Sequence, residues 1–560
     1  LVKRLINYLH SEFSGLHQAA MLLAVAGFGA DILALARDRL FAATFGAGHE
    51  LDVYFAAFRV PDMIYTLTLL FAANTAIIPI LFKKADKDEK EAQGFIGGLM
   101  SIFLAMTLVL CAVAFIFMPR ITAFIAPGFL GSDQNDVILL SRIILLSPIL
   151  LGLSNLVSSV IQSYNRFFIY ALSPIFYNLG IVIGIMFFYP LWGMQGLAWG
   201  VALGSALHLL VQVPSMIKLG FVPRLYARGF KKDLWDVLIL SFPRTIGLSL
   251  NQMMMTAMTA IASMLAVGSI AVFNLAQNLQ SVPLSVVGLS YSVAAFPTMA
   301  RLFAGKRNEE YLESVASAFK HIIFWSLPIM VLFIVLRAQI VRVVLGAGAF
   351  SWADTRLTAA AFLLFSLSIL SQSLVMLLVR AFYAAGRTTL PLLVNLFSAA
   401  FTIILAIFFV KILASNGYYS EAFLRILRVS DVPGAAMLIL PLAVSLGSIL
   451  NAVALILSFD YIFGGRLTLG YRRSAIEIFL ASMASGWCAY LSLQFLSVIL
   501  NLNTFIGVFA QGALSGILGA MVGIFMLRVA RNQEFMEVWS ALHKRFWKVG
   551  VLSSEPESIR

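Results

Sequence analysis

The sequence predicts an all-α integral membrane protein with about fourteen transmembrane helices, two pseudo-symmetric six-helix lobes and a C-terminal helix pair. Composition is the first observation behind this. Hydrophobic residues make up 61% and charged residues 12% of 560 positions, where a soluble domain carries about 25% charged. The second is an internal repeat, with landmarks recurring 217 to 222 positions apart. Pro61 answers to Pro283, Pro79 to Pro297, and Gly128-Phe129 to the region of Gly348 and Phe350. Pro174-x-x-x-Asn178-Leu179 answers in turn to Pro391-x-x-x-Asn395-Leu396. Each pair holds the same place in its hydrophobic pattern, and duplicated bundles of membrane helices are how many transporters build a central site.

Apolar stretches long enough to cross about 30 Å of hydrocarbon are read off in order. In the first repeat they fall near 17–45, 52–82, 94–126, 137–163, 167–189 and 192–219; in the second near 234–265, 269–303, 314–345, 356–384, 388–413 and 435–463. Stretches at 474–500 and 504–529 have no counterpart in the repeat and form an added hairpin. The expected divisions are therefore an N-terminal lobe over 1–233, a second lobe over 234–463, and a hairpin with its tail over 464–560. Six spans per repeat is an even number, so the two lobes share one orientation, about an axis along the membrane normal.

Of the 39 Lys and Arg, 26 fall in the amino terminus, the even-numbered loops and the tail, and 8 in the odd-numbered loops and their flanks. The positive-inside rule then places both termini in the cytoplasm. The net charge of +13 reads as this bias and as contact with anionic lipid, with no nucleic-acid surface implied. Phe221 to Asp233 is a basic cytoplasmic linker, and the segment from Ala414 to Gly434 is the longest outward connection, with an amphipathic piece around Phe423 to Leu427. After Arg531, Phe535, Trp539, Leu542 and Phe546 recur at helical spacing beside Lys544, Arg545 and Lys548, a pattern for a helix on the inner membrane face. No cleavable signal precedes the first span, and the chain opens at Leu1, which leaves the natural start open. Cys111 and Cys488 both lie in apolar spans, so no disulfide framework or metal cluster is argued.

Catalytic constellations are missing from the pattern: the six His are dispersed, and there is no Walker A, no G-x-S-x-G and no paired Cys motif. The expectation is a transporter without enzymatic chemistry, cofactor or metal, driven by an ion gradient, the membrane potential or its substrate's own gradient. Candidate site residues are the ionisable and amide side chains at membrane depth, where a charge costs about 2.5 to 3.5 kcal/mol even on a lenient scale. The first span carries Asp31, Arg37, Asp38 and Arg39, and the second Asp52, Arg59, Asp62 and Asn74. In Arg59-Val60-Pro61-Asp62 a local ion pair competes with a ligand role. Arg244, beside Pro243, lies about ten residues into its span, roughly 15 Å along the axis. It either contacts substrate or bonds to carbonyls that the proline frees. Asn251, Gln252, Asn274, Gln277, Asn278 and Gln280 add amides that commonly bond between helices.

The segment Ala36-Arg37-Asp38-Arg39-Leu40-Phe41-Ala42-Ala43-Thr44-Phe45-Gly46-Ala47-Gly48, followed by Asp52, Phe58-Arg59-Val60-Pro61 and Ala76-x-x-Pro79, resembles the MurJ/MviN family. Asn165-Arg166-Phe167, Leu197-Ala198-Trp199-Gly200 and Phe382-Tyr383-Ala384 with Arg387, Thr388 and Pro391 extend the resemblance over most of the chain. It implies a lipid II flippase of the MOP exporter superfamily, moving the undecaprenyl-pyrophosphate-linked cell-wall precursor by alternating access. Cavity arginines would hold the pyrophosphate, and a groove on the last two helices the lipid tail. Arg37, Asp38 and Asp52 fall on family positions. Three positions that carry arginine in the family are Asp31, Tyr65 and Asn278 here, and a family Glu is Leu70. Arg59 and Arg244 are the candidates to replace that charge, which makes Arg37, Asp38, Asp52, Arg59, Arg244 and Asn278 the expected substrate-binding set. Expected partners are the lipid-linked precursor, membrane lipids and cell-wall synthesis proteins. Other readings are a MOP-type transporter for a different lipid-linked saccharide, a cation-coupled exporter, or a scaffold that has lost transport.

Overall fold

A computed structural model describes residues 16–68, 81, 84, 88–164, 166–221, 231–414, 418–464, 467 and 471–547. The expected stretches are mostly helical where they are described, with short breaks at Phe58, Leu145, Gly193, 211–212 and 367–368. Among the described residues ten helices are long and apolar enough to cross a membrane. A bent pair, α13 (Trp352–Ser366) and α14 (Ile369–Ala384), makes up to eleven. The first and seventh stretches are the long helices α1 (Leu16–Phe45) and α9 (Lys231–Ser263). The second begins as two short helices, α2 (His49–Ala57) and α3 (Arg59–Thr68), and its remainder, with Leu70, Asn74 and Pro79, lies outside the described residues.

Contacts divide the chain into two units. The first gathers 1–282, 341–368 and 387–451, so it contains the first repeat together with parts of several helices of the second. Its tightest pairing joins α7 (Phe167–Ile183) to α8 (Met194–Leu210). α8 and α7 with its π-helical continuation (Gly184–Phe188) carry glycines four apart on the facing side, the small-xxx-small spacing that lets membrane helices approach closely. A Cβ on Gly180 would lie 2.2 Å from the Cα of Gly204, and one on Gly200 would lie 2.5 Å from the Cα of Gly184. Any larger residue at these four sites must push the two backbones apart. A second cluster packs Phe95, Leu99 and Phe103 of α4 (Glu89–Ile125) against Val157 and Val160 of α6 (Leu146–Ser163).

The bend after α13 has a visible cause. Gln280, near the end of α10 (Ser269–Pro283), donates to the Phe365 carbonyl and to Ser368 Oγ, both at 2.8 Å. A side chain inserted at a carbonyl of the ladder is one of the few things that kinks a helix sharply. The helix turns by 42° at this break.

The second unit gathers 283–340, 369–386 and 452–560. It is centred on Tyr311, Phe382, Phe459 and Phe463, whose rings pack edge-on and tilted, with the Tyr311 hydroxyl donating to the Ala381 carbonyl at 2.8 Å. The hairpin of α18 (Arg472–Ile499) and α19 (Phe505–Val529) belongs here, again with glycine at the contact: a Cβ on Gly519 would lie 2.7 Å from the Ser485 carbonyl oxygen. α20 (Gln533–Trp547) follows, its start capped by Asn532 Oδ1, which accepts from the Phe535 amide. Asn532 also donates to Ser474 and Glu477, and Phe535 is buried, so the tail helix is fastened to α18. The side chains of Leu542 and Phe546 lie outside the described residues.

Candidate functional site

Within the first unit the two repeats meet along a seam, and the landmark glycines are in it. Gly128 is packed so closely on the end of α9 that a Cβ there would lie 1.9 Å from the Ser263 carbonyl oxygen, and its amide donates to Ser263 Oγ at 3.1 Å. Gly348, the repeat partner of Gly128, does the same at the end of α1. A Cβ on it would lie 2.2 Å from the Ala43 carbonyl oxygen, to which the Ala349 amide donates at 2.8 Å. Ala43 and Ser263 are themselves 220 residues apart, so the two contacts are one contact made twice. Gly348 has φ +55, a left-handed conformation that glycine adopts without cost.

Asp52 belongs to this seam. Its carboxylate is 3% exposed and accepts from the Gly268 amide at 2.6 Å and from the Ala271 amide at 2.7 Å. Those amides open α10, so a side chain of the first repeat caps a helix of the second. Charge-assisted capping of this kind satisfies amides that a helix start leaves orphaned. Arg59 bridges the repeats one helix further along, donating from Nη2 to Asn274 Oδ1 at 2.7 Å. Its buried Nε finds no acceptor among the described residues. Arg39, the residue read as satisfied locally, donates to the Val343 carbonyl.

Arg37, Asp38 and Asn278 form a second group. Arg37 gives Nε and Nη2 to Asp38 Oδ1 at 3.0 and 2.7 Å, and Nη1 to Asn178 Oδ1 at 2.9 Å. Asn278 Nδ2 donates to Asp38 Oδ2 at 2.9 Å. Asp38 is therefore the hub, buried at 2% exposure, with a cation from its own repeat on one oxygen and an amide from the other repeat on the second. Arg37 keeps 18% of its side chain exposed and retains N–H groups that no partner uses up. Asn178 was legible only as half of the repeated Pro-x-x-x-Asn motif. Its counterpart Asn395 accepts from Asn451 Nδ2 at 3.0 Å.

The structure thus brings Arg37, Asp38 and Asn278 together, and places Asp52 and Arg59 in the seam. Tyr65 accepts from Asn155 at 2.8 Å. Asp31 lies half-buried on α1. Arg244 is on α9, but its side chain lies outside the described residues. The local ion pair weighed for Arg59 and Asp62 is absent: Arg59 reaches to Asn274 instead, and no described side chain bonds the Asp62 carboxylate.

A solved structure titled "Inward-facing conformation of a multidrug resistance MATE family transporter of the MOP superfamily" matches 79% of this chain and 96% of its own, with TM-score 0.62 and 14% identity. One titled "Lipid II flippase MurJ, inward closed conformation" matches 94% of this chain and all of its own, with TM-score 0.70 and 22% identity. At those identities the likeness is one of fold, and the fold is that of a multi-pass membrane transporter.

The family follows from sequence. The profile described as "Lipid II flippase MurJ" matches residues 41–420, and the chain belongs to that family. A relative from Buchnera aphidicola subsp. Acyrthosiphon pisum, named "Probable lipid II flippase MurJ", is 29% identical over 372 residues, covering 66% of this chain and 73% of the relative.

Proposed function

We propose that the chain carries lipid II, the undecaprenyl-pyrophosphate-linked peptidoglycan precursor, from the inner to the outer leaflet of the bacterial cytoplasmic membrane by alternating access. Residues 1–233 and 234–463 are the two moving lobes in this reading, and 464–560 adds the hairpin and cytoplasmic tail. The observation that carries it beyond family membership is the Arg37–Asp38–Asn278 group. A pyrophosphate needs cationic donors in a low-dielectric site, and Arg37 is held in place by Asn178 with donors to spare. Arriving phosphate oxygens compete with Asp38 for the guanidinium. Since Asp38 also holds Asn278 of the second lobe, substrate binding loosens a tie between lobes. Only such differential contact can shift a conformational equilibrium.

The charge count supports a topology in which the glycine seam faces outward. The decisive experiment is rescue of a flippase-depleted bacterium with lipid II orientation measured directly. Growth with restored outer-leaflet lipid II is expected. Full membrane insertion with no change in lipid II orientation would refute the reading. Impermeant labelling of single cysteines at Ser132 and Lys87 checks the orientation, with reaction from outside expected at Ser132 alone.

A further inference from the structure

Asn178 does more at the Arg37 group than its place in a repeated motif announces. Asparagine is a poor choice for the middle of a helix, because its amide competes with the backbone, yet Asn178 sits in the interior of α7 and is buried at 7% exposure. Both ends of its amide are used. Nδ2 donates to the Pro174 carbonyl one turn earlier at 3.0 Å, and Oδ1 accepts from Arg37 Nη1 on α1 at 2.9 Å. Turned over, the amide would set its NH2 against the guanidinium and its oxygen against the carbonyl, so the Pro174 bond fixes which end faces Arg37.

The guanidinium is gripped from two sides. Asp38 takes Nε and Nη2, and Asn178 takes Nη1 across the helix interface. Asp38 is the next residue on α1 and moves with Arg37, so among the described residues Asn178 alone bonds the guanidinium to another helix. The two grips also differ in charge. Asp38 already balances the positive charge, and a second carboxylate at 178 would take up the remaining donors bidentately and turn the group net negative. An apolar side chain of the same size would leave Arg37 free to fold onto Asp38. A neutral oxygen avoids both outcomes. In the second repeat the same motif meets a neutral donor instead: Asn395 of α15 (Thr389–Ala414) accepts from Asn451 of α17 (Ile439–Phe463) at 3.0 Å.

We propose that Asn178 is a positioning residue for pyrophosphate binding, one that holds the Arg37 guanidinium in place without neutralising it, so that the donors Arg37 keeps stay aimed at an arriving anion. This role rests on the lipid-transport reading and adds to it the requirement that the side chain at 178 be a neutral acceptor. Pro174 belongs to the same device, since its carbonyl orients the amide. Position 178 then sets how tightly the anion is held, while Arg37 itself makes the contact.

The test measures binding of undecaprenyl pyrophosphate to the purified full chain in nanodiscs, with thermal midpoints recorded alongside. Asn178→Leu should weaken binding about tenfold by freeing the guanidinium, and Asn178→Asp about 100-fold by adding a second negative charge. Exchanging the charges restores affinity: Asn178→Asp combined with Asp38→Asn should bind about tenfold or more tighter than Asn178→Asp alone, because one carboxylate and one amide again flank Arg37. A purely structural Asn178 gives a different pattern, in which midpoints fall and affinity does not follow charge. Parental affinity in both single variants, or a double variant no tighter than Asn178→Asp, overturns the positioning role. Should Asn178→Leu fail to accumulate, the Asp variant and its charge-exchanged partner decide; should Asn178→Asp fail, Asn178→Leu decides, and parental affinity there overturns the role. A parent chain that binds no pyrophosphate lipid refutes the lipid-transport reading itself, and the role of Asn178 falls with it.

Discussion

Replacing Asp52 tests whether the seam is a gate. Its carboxylate accepts two amide bonds at 2.6 and 2.7 Å from the start of α10. A hydrogen bond to a charged group is worth about 1.5–3 kcal/mol, and loss of a cap about 0.5–2 kcal/mol. Water entering the vacated cap returns part of this, leaving a net loss of about 2–3 kcal/mol for Asp52→Ala. If the bonds exist only when the seam is closed, the open-to-closed ratio rises about 30- to 150-fold. Ser263, 7% exposed and bonded to Gly128 in the seam, is the reporter. In a Ser263→Cys background with Cys111 and Cys488 replaced, an impermeant thiol reagent should react from outside at a rate proportional to the open fraction. Asp52→Ala should speed that reaction by tens of fold. Asp52→Asn, which keeps an acceptor oxygen but no charge, should fall between. Unchanged labelling combined with lost transport would refute the gate and return Asp52 to the substrate.

Arg37→Ala should abolish lipid II translocation at normal membrane abundance, and Arg37→Lys should keep part of it as a point charge without the fork; transport equal to the parent at equal abundance removes Arg37 from the site. Gly204→Ala places a Cβ 2.3 Å from the Tyr177 carbonyl oxygen, and should cost about 1–3 kcal/mol of stability, seen as a lower thermal midpoint in detergent. At the connection after α16 (Tyr418–Ile426), Arg356 bonds both Asp431 oxygens at 2.7 Å, which holds the Asp431 carboxyl below the usual carboxylate range. A depressed folded pKa gives a contribution present at neutral pH and lost as pH falls through that value, so protection from hydrogen exchange near 428–432, taken relative to the intrinsic rate at each pH, should fall in acid, and Asp431→Asn should show the reduced protection already at pH 7. For Arg244, Ala should abolish binding of a pyrophosphate lipid, Lys should keep part, and Asn278→Arg should partly rescue Ala; normal binding with poor insertion would instead assign Arg244 to the carbonyls freed by Pro243.

What the sequence made legible is what the backbone demands. Prolines and glycines cannot be exchanged freely where the chain bends or touches another backbone, so the repeat stood out at Pro61, Gly128 and Pro174 and their counterparts. Hydrophobic length located the helices, and the ends of α1, α9 and the hairpin fall within a few residues of the expected stretches. Partners were not legible. Nothing near Asp52 announces that it accepts from the Gly268 amide, 216 residues later at the start of a helix, and a carboxylate in an apolar span looks the same whether it meets a ligand or an amide. Sequence proximity of Arg59 and Asp62 leaves an ion pair and a ligand role equally open, because a long arginine side chain chooses among everything within its reach, and here that is Asn274. Asn178 carried a signal in its repeated motif, but the motif named only a position and not the guanidinium it would hold.

The reciprocal glycine contacts have a further meaning. Gly128 on Ser263 and Gly348 on Ala43 obey the rule of an isologous interface, in which residue i meets j and j's equivalent meets i's. The two halves therefore meet as two copies of one subunit would, each presenting its glycine to the other's helix end. The two halves differ at the cap: Asp52 has Val272 at its counterpart 220 residues on. The glycines stayed because each is obliged by the other half's backbone, while the cap exists on one side only. A two-fold object that has lost one of its two locks has acquired a preferred side on which to be held.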